Sequence, residues 1–193
     1  MPTQKRIDRI TEVLSRRQKG LVLVLEDIHD PHNAGAVLRS AEAFGVEEVC
    51  IIYEKEKYVN LKRVGRHSSS SANKWVPIRT FRSTKSCYAY LRRKKCRIMA
   101  TVLHEQSKSI FSLNLTQPRI ALVMGNEHRG LSPYAIHHAD TLVHIPMNGF
   151  VESLNLSVSA SIMLFETLRQ RLASGKRYSF TKAEIEKQAR RFF

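Results

Sequence analysis

The chain has 193 residues, carries 32 lysines and arginines against 17 aspartates and glutamates for a formal charge of +15, and is 42% hydrophobic. That length and apolar content suit one folded domain and exclude a disordered chain. The apolar runs are too short for a transmembrane helix, the first residues lack a secretory signal, and three scattered cysteines (Cys50, Cys87, Cys96) offer neither a disulfide framework nor a cysteine zinc site, so a reducing cytoplasm is the expected location.

Residues 5–17 are predicted as a helix, because Ile7, Ile10, Val13 and Leu14 share one face; Gly20 can end that segment. Five continuous apolar runs then read as strands buried on both faces: 21–25, 49–53, 98–103, 120–124 and 141–145. Helical patterns lie between them. Val37, Ala41 and Phe44 share a face within 34–44, and Cys87, Tyr88 and Leu91 form a stripe within 84–94. Ser132-Pro133 is an N-cap followed by proline at the first helical position, opening a short helix to residue 139. Residues 154–172 form a long apolar helix with Gly175 beyond its end, 173–180 a linker, and Thr181-x-x-Glu184 a capping box that starts a terminal helix. The serine-rich stretch 60–74 reads as a loop. Strands alternating with helices imply an α/β fold with a mostly parallel sheet.

The charge is unevenly placed. Residues 21–54 hold 1 basic and 7 acidic side chains, whereas residues 55–97 hold 14 basic and 1 acidic. Both ends of the chain are also basic. Such an excess repels itself unless a polyanion offsets it, and nucleic acid is the first candidate.

Several familiar chemistries have no motif here. There is no phosphate-binding P-loop, no G-x-G dinucleotide fingerprint and no G-x-S-x-G nucleophile elbow. His29 and His32 lack a completing carboxylate pattern, so no metal is expected.

Three segments do not read as ordinary core. The first, Asn33-x-Gly35-x-x-x-Arg39 with Phe44-Gly45, follows the first buried strand. Asn33 suits either a helix N-cap or a ligand contact. Arg39, the one basic residue of 21–54, suits either an ion pair with Glu42 or Glu48 or bidentate binding of a phosphate. The second, Gly125-Asn126-Glu127-His128-Arg129-Gly130-Leu131, leaves the fourth strand as a tight polar loop. The third runs from Ile145-Pro146-Met147 to Ser153-Leu154-Asn155 and on to Ala160. Its serines and asparagines are poor helix formers. Close packing of small residues, an N-cap at Ser153, or a polar lining for a ligand would each account for them.

Together these segments resemble, in order and spacing, the three signature motifs of the SpoU branch of the SPOUT superfamily of RNA methyltransferases, over roughly residues 20–170. Ser15-Arg-Arg-Gln18 and Ser71-Ala-Asn-Lys-Trp75 further resemble the members that methylate a tRNA guanosine. The resemblance implies a parallel sheet flanked by helices, with a deep trefoil knot near the C-terminal end. It divides the chain into a basic helix (1–19), a methyltransferase domain (20–172) and a basic helical extension (173–193). It implies a homodimer with the active site at its interface and S-adenosylmethionine as methyl donor. The cofactor would be lined by Thr101, Met124, Gly125, Asn126, Ile145, Met147, Ser153 and Leu154. Asn33, Arg39, Glu127, Ser153 and Asn155 would carry the chemistry. Arg16, Arg17, Lys62, Arg63, Arg66 and His67, with the terminal helix, would contact the tRNA backbone. The expected reaction is 2′-O-methylation of the D-loop guanosine at tRNA position 18. Ribosomal RNA or another tRNA nucleotide is the alternative target, and a non-catalytic RNA-binding protein is the alternative of another class. Relatives acting on ribosomal RNA often carry a separate N-terminal domain, for which residues 1–20 leave no room.

Overall fold

The structure is a computed structural model and describes residues 3–60 and 72–192. Seven strands among these residues form one sheet: β1 (Gln18–Glu26), β2 (Val46–Ile52), β3 (Ile78–Phe81), β4 (Arg97–Thr101), β5 (Lys108–Ser109), β6 (Ile120–Met124) and β7 (Thr141–His144). Their order across the sheet is β3-β2-β1-β6-β4-β7-β5, and every neighbouring pair is parallel. The helices are α1 (Gln4–Ser15), α2 (Pro31–Ala43), α3 (Ala72–Trp75), α4 (Thr84–Arg93), α5 (Pro133–His138), α6 (Leu156–Ala173) and α7 (Lys182–Ala189).

The central strands are apolar throughout because both of their faces are covered. Leu21, Leu23 and Leu25 of β1, with Ile120, Leu122 and Met124 of β6, enter a core shared with α2 and α6. Val22, Val24, Ala121 and Val123 point the other way, into a core shared with Cys87, Tyr88 and Leu91 of α4 and Ala135 of α5. A third, smaller core joins the two ends of the chain: Ile10 and Leu14 of α1 meet Phe180, Ile185 and Ala189, with Trp75 and Phe192 packed alongside. The Trp75 and Phe192 ring centroids are 5.4 Å apart.

This arrangement creates a crevice. Adjacent strands β1 and β6 send the following chain to opposite faces, β1 into α2 and β6 into α5. The loops that leave them diverge beyond the carboxyl ends of the strands, the usual ligand position in an open α/β sheet.

The structure differs from the sequence reading at several points. β3 and β5 carry no continuous apolar run, because they are the two edges of the sheet and lack cover on both sides. Helix α1 stops at Ser15, and Gly20 does not end it. Instead Gly20 lies inside β1 at φ +80°, where the pairing register with β2 shifts between Gln18 and Val22. A β-carbon there would stand 1.9 Å from the Pro118 carbonyl oxygen. Arg17, expected to touch RNA, is only 3% exposed. Its guanidinium donates to the carbonyls of Trp75 (2.5 Å) and Val46 (3.4 Å), so it fastens the sheet to α3 and cannot contact RNA from this position.

The acidic segment is spent internally. Glu48 is buried and accepts from Arg79 (3.0 Å), Tyr90 (2.6 Å) and Lys94 (2.8 Å). Burial pushes its carboxyl up, but these donors outweigh that and hold it below its ordinary value. Glu47 accepts from the Gly20 amide at 2.5 Å. At the C-terminal end, Lys19 donates to Glu184 at 2.5 Å, joining β1 to the capping box of α7. Many of the cations, by contrast, remain exposed.

Gly20→Ala combines a positive φ with a backbone clash. We expect it to lower the unfolding free energy by roughly 3 kcal/mol or more in a urea titration. A variant as stable as the wild type would show that the strand accommodates a side chain there.

Candidate active site

Each motif sits where a strand of the crevice ends. After β1, Asp27 takes a left-handed conformation (φ 51°) and turns the chain. Its carboxylate accepts from the backbone amides of Glu54 (2.7 Å), Lys55 (3.0 Å) and Glu56 (3.2 Å), which pins the loop after β2. Asp30 then caps α2, its side chain accepting from the His32 amide at 2.8 Å, and Pro31 occupies the first helical position. Asn33 is therefore not the N-cap, and its side chain is free to reach outward.

After β6, Gly125 and Gly130 close a tight loop. A β-carbon on Gly125 would lie 2.5 Å from the Gly130 carbonyl carbon. Asn126 is buried and holds the loop in shape. Its amide nitrogen donates to the Asp27 carbonyl (2.6 Å), and its amide oxygen accepts from the His128 and Arg129 amides, both at 2.9 Å. Beside it, Glu26 is buried and accepts from the Ser132 amide and hydroxyl, both at 2.8 Å, and from the Thr84 hydroxyl.

The three motifs meet at Asn33. Its Nδ2 donates to Glu127 Oε1 at 3.0 Å, and its Oδ1 accepts from Asn155 Nδ2 at 3.1 Å. Asn155 Oδ1 in turn accepts from the Ser157 amide at 2.8 Å and so caps α6. Ser153 is not the cap of this helix; it lies two residues before it and lines the cavity. Glu127 also accepts from the His29 amide (2.9 Å) and the Asp30 amide (3.3 Å). Burial pushes the Glu127 carboxyl up, but Asn33 and these amides hold it below its ordinary value.

Asn33, Glu127 and Asn155 line a cavity of about 560 Å³ at the ends of β4, β6 and β7. All eight residues expected around the cofactor line the same cavity: Thr101, Met124, Gly125, Asn126, Ile145, Met147, Ser153 and Leu154. Thr101 donates its hydroxyl proton to the Val123 carbonyl at 2.6 Å. Arg39 is the exception. It is exposed on α2, is not part of the cavity wall, and makes no hydrogen bond or ion pair with any described residue, so neither Glu42 nor Glu48 holds it. Sequence reasoning missed Val102, Leu103 and His144 in the wall, while His128 and Glu152, also in the wall, fall inside the second and third motifs. Val102 and Leu103 follow Thr101 at the end of β4 and His144 precedes the third motif, and nothing in their residue types marks them.

Of the residues expected to meet RNA, Arg16 is exposed and pairs with Glu12 at 2.8 Å on the surface. Lys62, Arg63, Arg66 and His67 lie outside the described residues. Among the described residues no cluster could hold a metal ion, and no helix is long and apolar enough to cross a membrane.

The hydrogen bonds to Glu127 favour its charged form. Their stabilisation is present above the unfolded value, near 4.5, and is lost as pH falls through the lower folded value. Glu127→Gln should therefore be less stable than wild type at neutral pH and lose less stability on acidification. Chemical denaturation at pH 7 and at pH 3 measures both; parallel losses in the two proteins would contradict it.

Comparison with known proteins agrees with this geometry. Residues 20–165 match the SpoU rRNA Methylase family. The chain is 36% identical over 173 residues to the tRNA (guanosine(18)-2'-O)-methyltransferase of Thermus thermophilus, covering 90% of this chain and 87% of that protein. The crystal structure of the Aquifex aeolicus TrmH/SpoU tRNA modifying enzyme superposes with a TM-score of 0.87 at 32% identity, covering 98% of this chain and 95% of that one. An AdoMet-bound rRNA methyltransferase from Sinorhizobium meliloti superposes with a TM-score of 0.72 at 25% identity, covering 83% of this chain and 59% of that one. By sequence and by structure, the chain belongs to the SpoU methylase family of RNA methyltransferases.

Proposed function

We propose that this enzyme transfers a methyl group from S-adenosylmethionine to the ribose 2′-hydroxyl of guanosine 18 in the tRNA D-loop, working as a cytoplasmic homodimer. The observation that carries the reading is the hydrogen-bonded line Glu127–Asn33–Asn155 on the wall of the cavity.

The cavity suits the cofactor. Its volume lies within the usual range for small-ligand sites, roughly 300–1,000 Å³. Met124, Ile145, Leu103 and Leu154 offer apolar wall for a base and a thioether chain, and the exposed Glu152 carboxylate offers a counter-charge to a cation. Bound there, S-adenosylmethionine supplies an electrophilic methyl group.

The chain's own residues position the nucleophile. A carboxylate that accepts three hydrogen bonds and is held below its ordinary value is a weak proton acceptor, so Glu127 orients Asn33 rather than taking a proton. Asn33 Nδ2 and Asn155 Nδ2 each spend one N–H on this line and keep a second. Those remaining donors suit the 2′-oxygen and the negative charge that grows on it as its proton passes to solvent water. The planar fork of a guanidinium matches two phosphate oxygens, so Arg39 serves by clamping an RNA phosphate beside the reacting ribose.

Arg39 lies outside its own cavity, which points to a second copy. Val158, Phe165 and Leu172, spaced by seven along α6, are 46%, 57% and 73% exposed. That is an apolar stripe two helical turns per step, on the helix that packs against α2. A second copy covering the stripe would bring its Arg39 to this cavity. The reading also includes the knot: residues 145–155 leave β7 and return to the first turn of α2, where Asn155 meets Asn33. Helix α1 and the chain from 173 to 192 pack together through the third core as one basic appendage. Arg16 and the exposed Lys182, Lys187, Arg190 and Arg191, with the 62–67 segment, would meet tRNA phosphates and give binding its salt dependence.

Methyl transfer from labelled S-adenosylmethionine to a tRNA transcript is expected, and none to a transcript with 2′-deoxyguanosine at position 18. Label on both transcripts would move the target elsewhere in the tRNA; label on neither, but on ribosomal RNA, would replace the substrate.

Arg39→Ala and Asn155→Ala should each slow turnover at least ~100-fold with tRNA affinity nearly unchanged. Co-expressed, they form mixed dimers with one complete site, and activity should recover to about a quarter of wild type. No recovery would place Arg39 in the site of its own chain.

A further inference from the structure

Five of the polar side chains that line the cavity are already committed to one another or to backbone. Thr101 donates to Val123, Asn126 holds its own loop, and Glu127, Asn33 and Asn155 hold each other. His144, at the end of β7, is different. Its Nδ1 lies 2.8 Å from the Ser107 hydroxyl, and its Nε2 makes no hydrogen bond with any described residue.

The neighbours of Ser107 decide the tautomer. The hydroxyl has one proton and two neighbours that could take it, the His104 carbonyl at 2.6 Å and His144 Nδ1 at 2.8 Å; only giving it to the carbonyl, which cannot donate, satisfies all three groups. Toward His144 the hydroxyl can therefore only accept, so the neutral ring carries its hydrogen on Nδ1. Nε2 is left as a bare acceptor on a ring that lines the cavity. Val102 lies against the same strand end, its amide donating to the Val143 carbonyl at 2.9 Å, and Leu103 and Ile145 complete an apolar stretch of wall. Such a wall suits a purine rather than a ribose or an amino acid. The one N–H donor group of adenine is its 6-amino group.

We propose that His144 reads the base of the bound nucleoside: Nε2 accepts a hydrogen bond from the adenine 6-amino group, and Ser107 is the positioning residue that keeps Nε2 unprotonated. This rests on the reading of the cavity as the S-adenosylmethionine site.

The test is calorimetric titration of the full chain with S-adenosylhomocysteine and with its analogue bearing hydrogen in place of the 6-amino group. Wild type should prefer the amine by roughly three- to tenfold, the size of one neutral hydrogen bond. His144→Ala should bind the amine more weakly by that factor, bind the deamino analogue unchanged, and so lose the preference. Ser107→Ala, which leaves the ring in place but frees its tautomer, should show a reduced preference, and it carries the test if His144→Ala does not fold. Wild-type preference retained in both variants would overturn the role of His144. Failure of wild type to bind S-adenosylhomocysteine at all would overturn the cofactor reading, and this inference with it.

Discussion

The active-site loops depend on the direction of one amide. A carboxylate can only accept, so Asn33 must turn its Nδ2 toward Glu127. That leaves Asn33 Oδ1 facing Asn155, which must answer with its own Nδ2. Asn155 Oδ1 is then obliged to face α6, where it caps the first turn. Polarity thus runs one way from a charged group to a helix N-terminus, and each member orients the next. Reversing either amide would set donor against donor or acceptor against acceptor. The loops after β1, β6 and β7 are joined by this line and by no covalent link.

The line works because the rest of the crevice is rigid. Two buried acids beside it act as clamps rather than as reagents. Asp27 gathers three backbone amides from the loop after β2, and its carbonyl receives Asn126. Glu26 holds the start of α5 through Ser132 and the start of α4 through Thr84. Buried backbone groups need partners, and in loops the ladder of a sheet is not available to supply them. Glu26, Asp27, Asp30, Glu47 and Glu54 fill that need, each accepting from a backbone amide. Their use inside the molecule explains how a chain of such basic composition keeps an acidic stretch while its surface stays cationic.

How much of this could be read from the chain depends on where each residue sits. The central strands were legible because burial on both faces demands unbroken apolar runs. The edge strands β3 and β5 were not, because half of each faces solvent. Pro133 announced its helix correctly through Ser132, whereas the same signal in Asp30-Pro31 opens α2 unread, so the cap there is Asp30 and not Asn33. Asn155 and Ser153 are both good capping residues, and their spacing alone does not choose between them. Arg17 sits in a basic run and looks like a surface cation. It is buried because a backbone carbonyl pair happens to meet its guanidinium across the sheet and α3.

The sequence by itself determined the class of the fold, the three motifs and the residue types they bring, since periodicity and spacing are local properties of the chain. It also determined the excess of cations that suits an RNA. Only the tertiary structure decided which of the chemically equivalent groups are spent and which are free. Asn126 and Asn33 are both asparagines in signature loops, yet one is locked to backbone and the other joins two motifs. Arg39 and Arg17 are both arginines, yet one is exposed without a partner among the described residues and the other is buried. Hydrogen-bond partners from 29 to 122 residues apart in the chain make these choices, and no local pattern encodes a partner that only folding brings near.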